Sequence, residues 1–116
     1  MSKIAKWAKH EFESSSLVTP DFAKFASDFK KEFKKDLEGS GLVVERITVG
    51  HFTLSGFVVN NNTGKIAYFS VGDVRWGNWY YKILVREAAT TSDYRGGLNN
   101  FVSYRDLVVF LYNLTQ

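Results

Sequence analysis

Arg75 and Trp76 stand between two turn-forming pairs, Gly72-Asp73 and Gly77-Asn78, and Tyr94-Arg95 precedes Gly96-Gly97 and the amides of Asn99 and Asn100. These residue types do binding chemistry. An arginine fork captures phosphate or carboxylate in two parallel hydrogen bonds, tryptophan and tyrosine offer flat faces for stacking, and asparagine both donates and accepts. Two of the three tryptophans and three of the five arginines, Arg75, Arg86 and Arg95, fall between Gly72 and Asn100. Aromatic and arginine side chains dominate interface hot spots, so the candidate binding residues are Arg75, Trp76, Arg86, Tyr94, Arg95, Asn99 and Asn100. Trp79 and Tyr80 have an equally good use as core aromatics, since they run into an apolar strand pattern, and Gly96-Gly97 can serve simply as a turn. The single Arg95-Gly96-Gly97 triplet does not repeat and carries no RNA-binding argument alone.

Catalysis has little to work with. His10 and His51 are the only side chains that titrate near neutrality without perturbation. His10 lies in a lysine-flanked helix pattern and His51 at a strand edge. No zinc-protease, calcium-loop, phosphate-loop or nucleophile-elbow motif occurs. Asp73 and Asp93 could form an acid or metal pair, but pairing with nearby arginines in turns is the simpler expectation. The chain reads as a non-enzyme with no metal and no cofactor.

The 116 residues fit one domain spanning 1–116, with 45% hydrophobic and 23% charged residues, as in ordinary globular proteins. Cysteine is absent, which rules out disulfides and thiolate metal sites and fits a reducing cytoplasm. No apolar run reaches membrane-spanning length, so neither secretion nor membrane insertion is expected. Net charge is only +3, weak for a dedicated nucleic-acid binder. Its layout is uneven: all five arginines follow residue 45 and eight of ten lysines precede residue 36.

Gly39-Ser40-Gly41 separates a helical half from a strand-rich half. A helix is expected over Ser2–Glu13, and a second starts at Thr19-Pro20, where threonine suits the cap and proline the first turn. In the second, Phe22, Phe25, Ala26, Phe29, Phe33 and Leu37 share one arc of a 3.6-residue period and should face the core. Lys24, Asp28, Lys31 and Lys35 take the opposite arc. Glu32, Asp36 and Glu38 dilute the field of Lys30–Lys35, so that segment reads as a solvated face. The period then changes to two over Leu42–Val49, His51–Val59, Lys65–Val71 and Tyr80–Ala88, giving four strands. Asn60–Gly64 reads as a hairpin turn and Ser92–Asn100 as a loop. Ser103 with Asp106 marks the start of a closing helix whose stripe is Leu107, Phe110, Leu111 and Leu114. The expected architecture is α+β: two N-terminal helices, a four-stranded mainly antiparallel sheet and one C-terminal helix, with helices on one sheet face.

In overall style the chain resembles small proteins carried by phages and mobile elements of Gram-positive bacteria, through WAKHEFESS (Trp7–Ser15), GHFTLSGF (Gly50–Phe57), ILVREA (Ile83–Ala88) and DYRGGLNN (Asp93–Asn100). Proteins of that type include anti-CRISPR inhibitors. The resemblance implies a non-enzymatic protein that binds a host defence nuclease such as Cas9, or its guide RNA complex, in the cytoplasm of a bacterial host. Many anti-CRISPR proteins are acidic DNA mimics; this chain is basic, so the implied route is contact with a protein surface or bound guide RNA. The alternative is a single-stranded nucleic-acid binder. It would stack bases on Trp76, Trp79 and Tyr80 while Arg75, Arg86 and Arg95 hold phosphates, with affinity falling steeply in salt.

Overall fold

The computed structural model describes residues 4, 7, 8, 12, 20–76, 79–93 and 97–116, and of Pro20 and Trp76 the backbone alone. Helix α1 covers Pro20–Asp36. Its phenylalanine stripe makes it a core helix: Phe22, Phe25, Phe29 and Phe33 are fully buried, and Ala26 and Leu37 nearly so. Lys24, Lys30, Lys31, Lys34 and Lys35 are exposed, as the charge pattern required. Gly39 and Gly41, both with positive φ, turn the chain out of the helix and into the sheet. Asp28 leaves the solvated arc in one respect, accepting a 2.8 Å hydrogen bond from Trp7 Nε1.

Strands β1 (Leu42–Val49), β2 (Leu54–Asn60), β3 (Ile66–Val71), β4 (Ile83–Ala88) and β5 (Asn100–Val102) follow, then helix α2 (Tyr104–Leu114). The sheet is an antiparallel meander in sequence order. Among the described residues it has five strands, not four: Asn100–Val102 leaves the expected loop and pairs with β4 through Val85↔Asn100, Leu84↔Phe101 and Ile83↔Val102. Three residues are too few to display a period of two, which is why the pattern did not reveal them. The described order is therefore α-βββββ-α instead of αα-ββββ-α. Ile4 and Trp7 have helical backbone, but most of the expected Ser2–Glu13 helix, like the Thr19 cap, lies outside the described residues.

Two strand starts also move. β2 begins at Leu54, because Gly50–Thr53 closes a turn in which Gly50 N–H donates to the Thr53 carbonyl at 2.9 Å. Phe52 sits there at φ 57°, a left-handed conformation that costs a non-glycine residue about 1 kcal/mol. Full burial of its ring against Phe12 and Phe22 offsets that cost. β4 begins at Ile83, because Trp79–Tyr81 forms a single 3₁₀ turn. The Asn60–Gly64 hairpin stands as expected, with Gly64 at φ 76° donating to the Asn60 carbonyl.

One sheet face carries Leu54, Val58, Ala67, Phe69, Val71, Ile83 and Val85 into the same core as the helices. Phe29 and Phe33 of α1 meet Phe69 of β3 and Tyr104 of α2, so a single aromatic cluster joins three elements. Tyr104 also donates a 2.6 Å hydrogen bond to Asp36 Oδ2, tying the start of α2 to the end of α1. Burial, then this hydrogen bond and the Asp36 charge, raise the phenol far above its ordinary value near 10. Below pH 10 the phenol is neutral in both folded and unfolded chains and its full contribution is present. Above pH 10 the unfolded chain ionises first, so stability falls. Tyr104→Phe should cost about 1 kcal/mol at neutral pH, because Asp36 is exposed and regains water. Urea titrations at pH 8 and 10.8 check the linkage: the variant should lose less stability over that interval, and parallel losses would refute it.

Candidate binding surface

The Arg75 excursion lies between β3 and β4. Val74, almost wholly buried, anchors a one-turn 3₁₀ segment over Val74–Trp76, and its N–H donates to the Phe52 carbonyl at 3.0 Å. Asp73 then organises Arg75 locally. Its carboxylate accepts from the Arg75 backbone N–H at 3.0 Å and from Nε at 2.9 and 3.1 Å, and forms an ion pair with Nη2. The guanidinium lies 4.8 Å from the centre of the Phe52 ring. Asp73 holds it further above its usual range, chiefly by side-chain hydrogen bonding. The expected turn pairing of an aspartate with an arginine thus accounts for Asp73. Asp93 accepts a turn hydrogen bond of a different kind, from the Ala89 backbone N–H at 2.9 Å.

Trp79 is a core residue, 3% exposed, with its ring edge-on to Phe25 at 4.8 Å. Tyr80 is half-buried and packs at 6.0 Å on Tyr104. Both follow the core alternative. Arg86 is buried as well, its guanidinium 4.4 Å over the Tyr68 ring. It belongs to a row across the outer sheet face, Arg46↔Phe57↔Tyr68↔Arg86, in which each residue stands opposite the next. Asn100 is braced internally: Nδ2 donates to the carbonyls of Val85 at 3.3 Å and Leu98 at 3.1 Å. Asn99 is exposed. Tyr94, Arg95 and the Trp76 side chain lie outside the described residues. Arg75, Arg86 and Asn100 therefore hold protein groups, and of the seven candidates these and Asn99 are the ones with described side chains.

The β4–β5 edge instead presents two apolar side chains that residue type alone did not single out. Leu98 is 86% exposed and Phe101 62% exposed, with Asn99 between them and Leu84 opposite Phe101. Gly97, at φ 77°, brings the chain onto β4 so closely that a Cβ there would lie 2.8 Å from the Glu87 carbonyl oxygen. Leu98 and Phe101 are thus carried by backbone pinned to the sheet. The sequence signal was a leucine and a phenylalanine placed among glycine and asparagine, where no core is being built.

No protein-family model, curated protein or solved structure matches this chain. Among the described residues no group of histidine, cysteine and carboxylates could hold a metal ion, and His51 is exposed. Among them, no helix is long and apolar enough to cross a membrane.

Proposed function

We propose that this chain is a non-enzymatic binding protein that docks on a protein partner through its β4–β5 edge. Exposed Leu98 and Phe101 on pinned backbone carry the proposal. A large aromatic or aliphatic anchor held in place before binding loses little entropy on association, which is how a few residues dominate an interface. Protein is favoured over single-stranded nucleic acid because, among the described residues, the stacking faces and phosphate clamps that nucleic acid needs are otherwise engaged. Trp79 is in the core, Tyr80 packs on Tyr104, and Arg75 and Arg86 cover Phe52 and Tyr68.

The resemblance to small phage and mobile-element proteins makes a Cas9-type nuclease the first partner to test, with the chain acting as its anti-CRISPR inhibitor in the cytoplasm of a bacterial host. The chain should be titrated into Cas9 cleavage of target DNA, before and after guide loading. Inhibition should saturate near one equivalent. Leu98→Asp with Phe101→Asp should shift that titration by about 30-fold, as expected for losing about 2 kcal/mol at a hot spot, while urea unfolding changes by less than about 0.5 kcal/mol per site. Undiminished cleavage across several Cas9 types removes the partner; equal inhibition by the variant removes the surface.

A further inference from the structure

The opposite edge of the sheet has a different character. β1 is eight residues long and, among the described residues, pairs on one side only, with β2. Alternate backbone N–H and C=O groups of such an edge point outward, free to pair with an added strand. Beside it a groove of about 720 Å³ runs between β1 and the second half of α1. Leu37, Val44 and Ile47 form its apolar floor, and Lys30, Lys34 and Arg46 stand around it. Lys30 and Lys34, one turn apart on α1, line the helix side of this groove.

We infer that this lane captures an extended peptide segment that alternates apolar and acidic residues, by strand addition to β1. Its backbone would continue the ladder. Its inward side chains would fill the groove over Val44, Ile47 and Leu37, and its outward carboxylates would stand beside Arg46. Backbone pairing of this kind supplies affinity, while alternate side chains supply specificity.

Charge selects the occupant. Glu38 and Glu45 also line the groove, against three cations. A second copy of this chain fits poorly, because antiparallel pairing of two β1 strands about a two-fold axis perpendicular to the sheet would put both pairs of Lys30 and Lys34 on the same face. An oppositely charged strand meets no such repulsion.

The test uses the full chain and a fluorescein-labelled, capped octapeptide alternating valine and glutamate, read by anisotropy, with a valine-lysine octapeptide as control. The acidic peptide should bind at least about tenfold more tightly, and K30E with K34E should abolish or invert that preference, since both positions are exposed and their reversal acts through charge. Amide shifts in a titrated ¹⁵N-labelled sample should concentrate in Leu42–Val49. Equal binding of both peptides, shifts elsewhere, or a dimer in sedimentation with β1 amides protected from exchange would each overturn the inference. None of these outcomes depends on Leu98 or Phe101, so failure here leaves the β4–β5 proposal standing, and the reverse holds too.

Discussion

Gly56→Ala should lower stability by more than about 3 kcal/mol or prevent folding altogether. A Cβ at this position would stand 2.2 Å from the Arg46 carbonyl oxygen and 2.9 Å from Cε1 of the Phe69 ring. Neither neighbour can yield cheaply. The Arg46 carbonyl is backbone of β1, just beyond the bulge at Glu45, and its position is fixed by the pairs Arg46↔Phe57 and Ile47↔Gly56. The Phe69 ring is fully buried against Phe29 and Phe33. Relief therefore requires either opening the β1–β2 ladder or displacing the aromatic cluster, each among the few mechanisms that give very large effects. Gly72→Ala is the matched control, because its Cβ would meet nothing within 4 Å. That variant should stay within about 0.5 kcal/mol of the parent. Urea unfolding at 25 °C compares the two, and a Gly56→Ala chain within 1 kcal/mol of the parent would show that β1 does not approach β2 as described.

The same contrast explains what could be read from the sequence. α1 was legible because six apolar side chains on a 3.6-residue period leave little else for the helix to do than bury them. β1 was legible to its ends, Leu42 and Val49, because a glycine turn bounds it on either side. Long-range relations were not. Nothing local says that Gly56 must be small; that follows from a bulge in a neighbouring strand and a ring from the next one. β5 was hidden by its brevity, and the helix expected before α1 lies mostly outside the described residues.

The candidate site divides along the same line. Arg75 has its partner two residues away, in Asp73, and that pairing was expected. Arg86 lies opposite Tyr68, eighteen positions earlier in the chain, and the contact becomes visible only once β3 and β4 are in register. Arginine and tryptophan are good interface residues for the reasons that make them good lids and core pieces: a broad face and polar atoms at its edge. Type alone could not separate those uses. Leu98 and Phe101 illustrate the converse, since an apolar residue is assumed to be inside until its strand is shown to have an open face.

Phe29→Ala should cost about 3 to 5 kcal/mol, a large share of the stability of a domain this size. The ring is fully buried and lies 6.1 Å from Phe25, 5.6 Å from Phe33, 6.3 Å from Phe69 and 5.7 Å from Tyr104. It thus touches α1, the sheet and α2 together. Truncation removes its transfer free energy and leaves a cavity walled by rings that cannot collapse without leaving their own contacts. Phe29→Leu, which retains most of the volume, should recover more than half of the loss. Near-UV circular dichroism should weaken with Phe29→Ala, because the Tyr104 ring it packs against loses its fixed surroundings. A loss under 1 kcal/mol would mean that Phe29 is not the joint between these elements. This variant also separates stability from recognition: whatever the chain binds, partner in excess should restore Phe29→Ala by mass action, since the folded fraction keeps its surfaces. The Leu98 and Phe101 variant should not be restored within the same concentration range, because it folds normally and lacks the anchors.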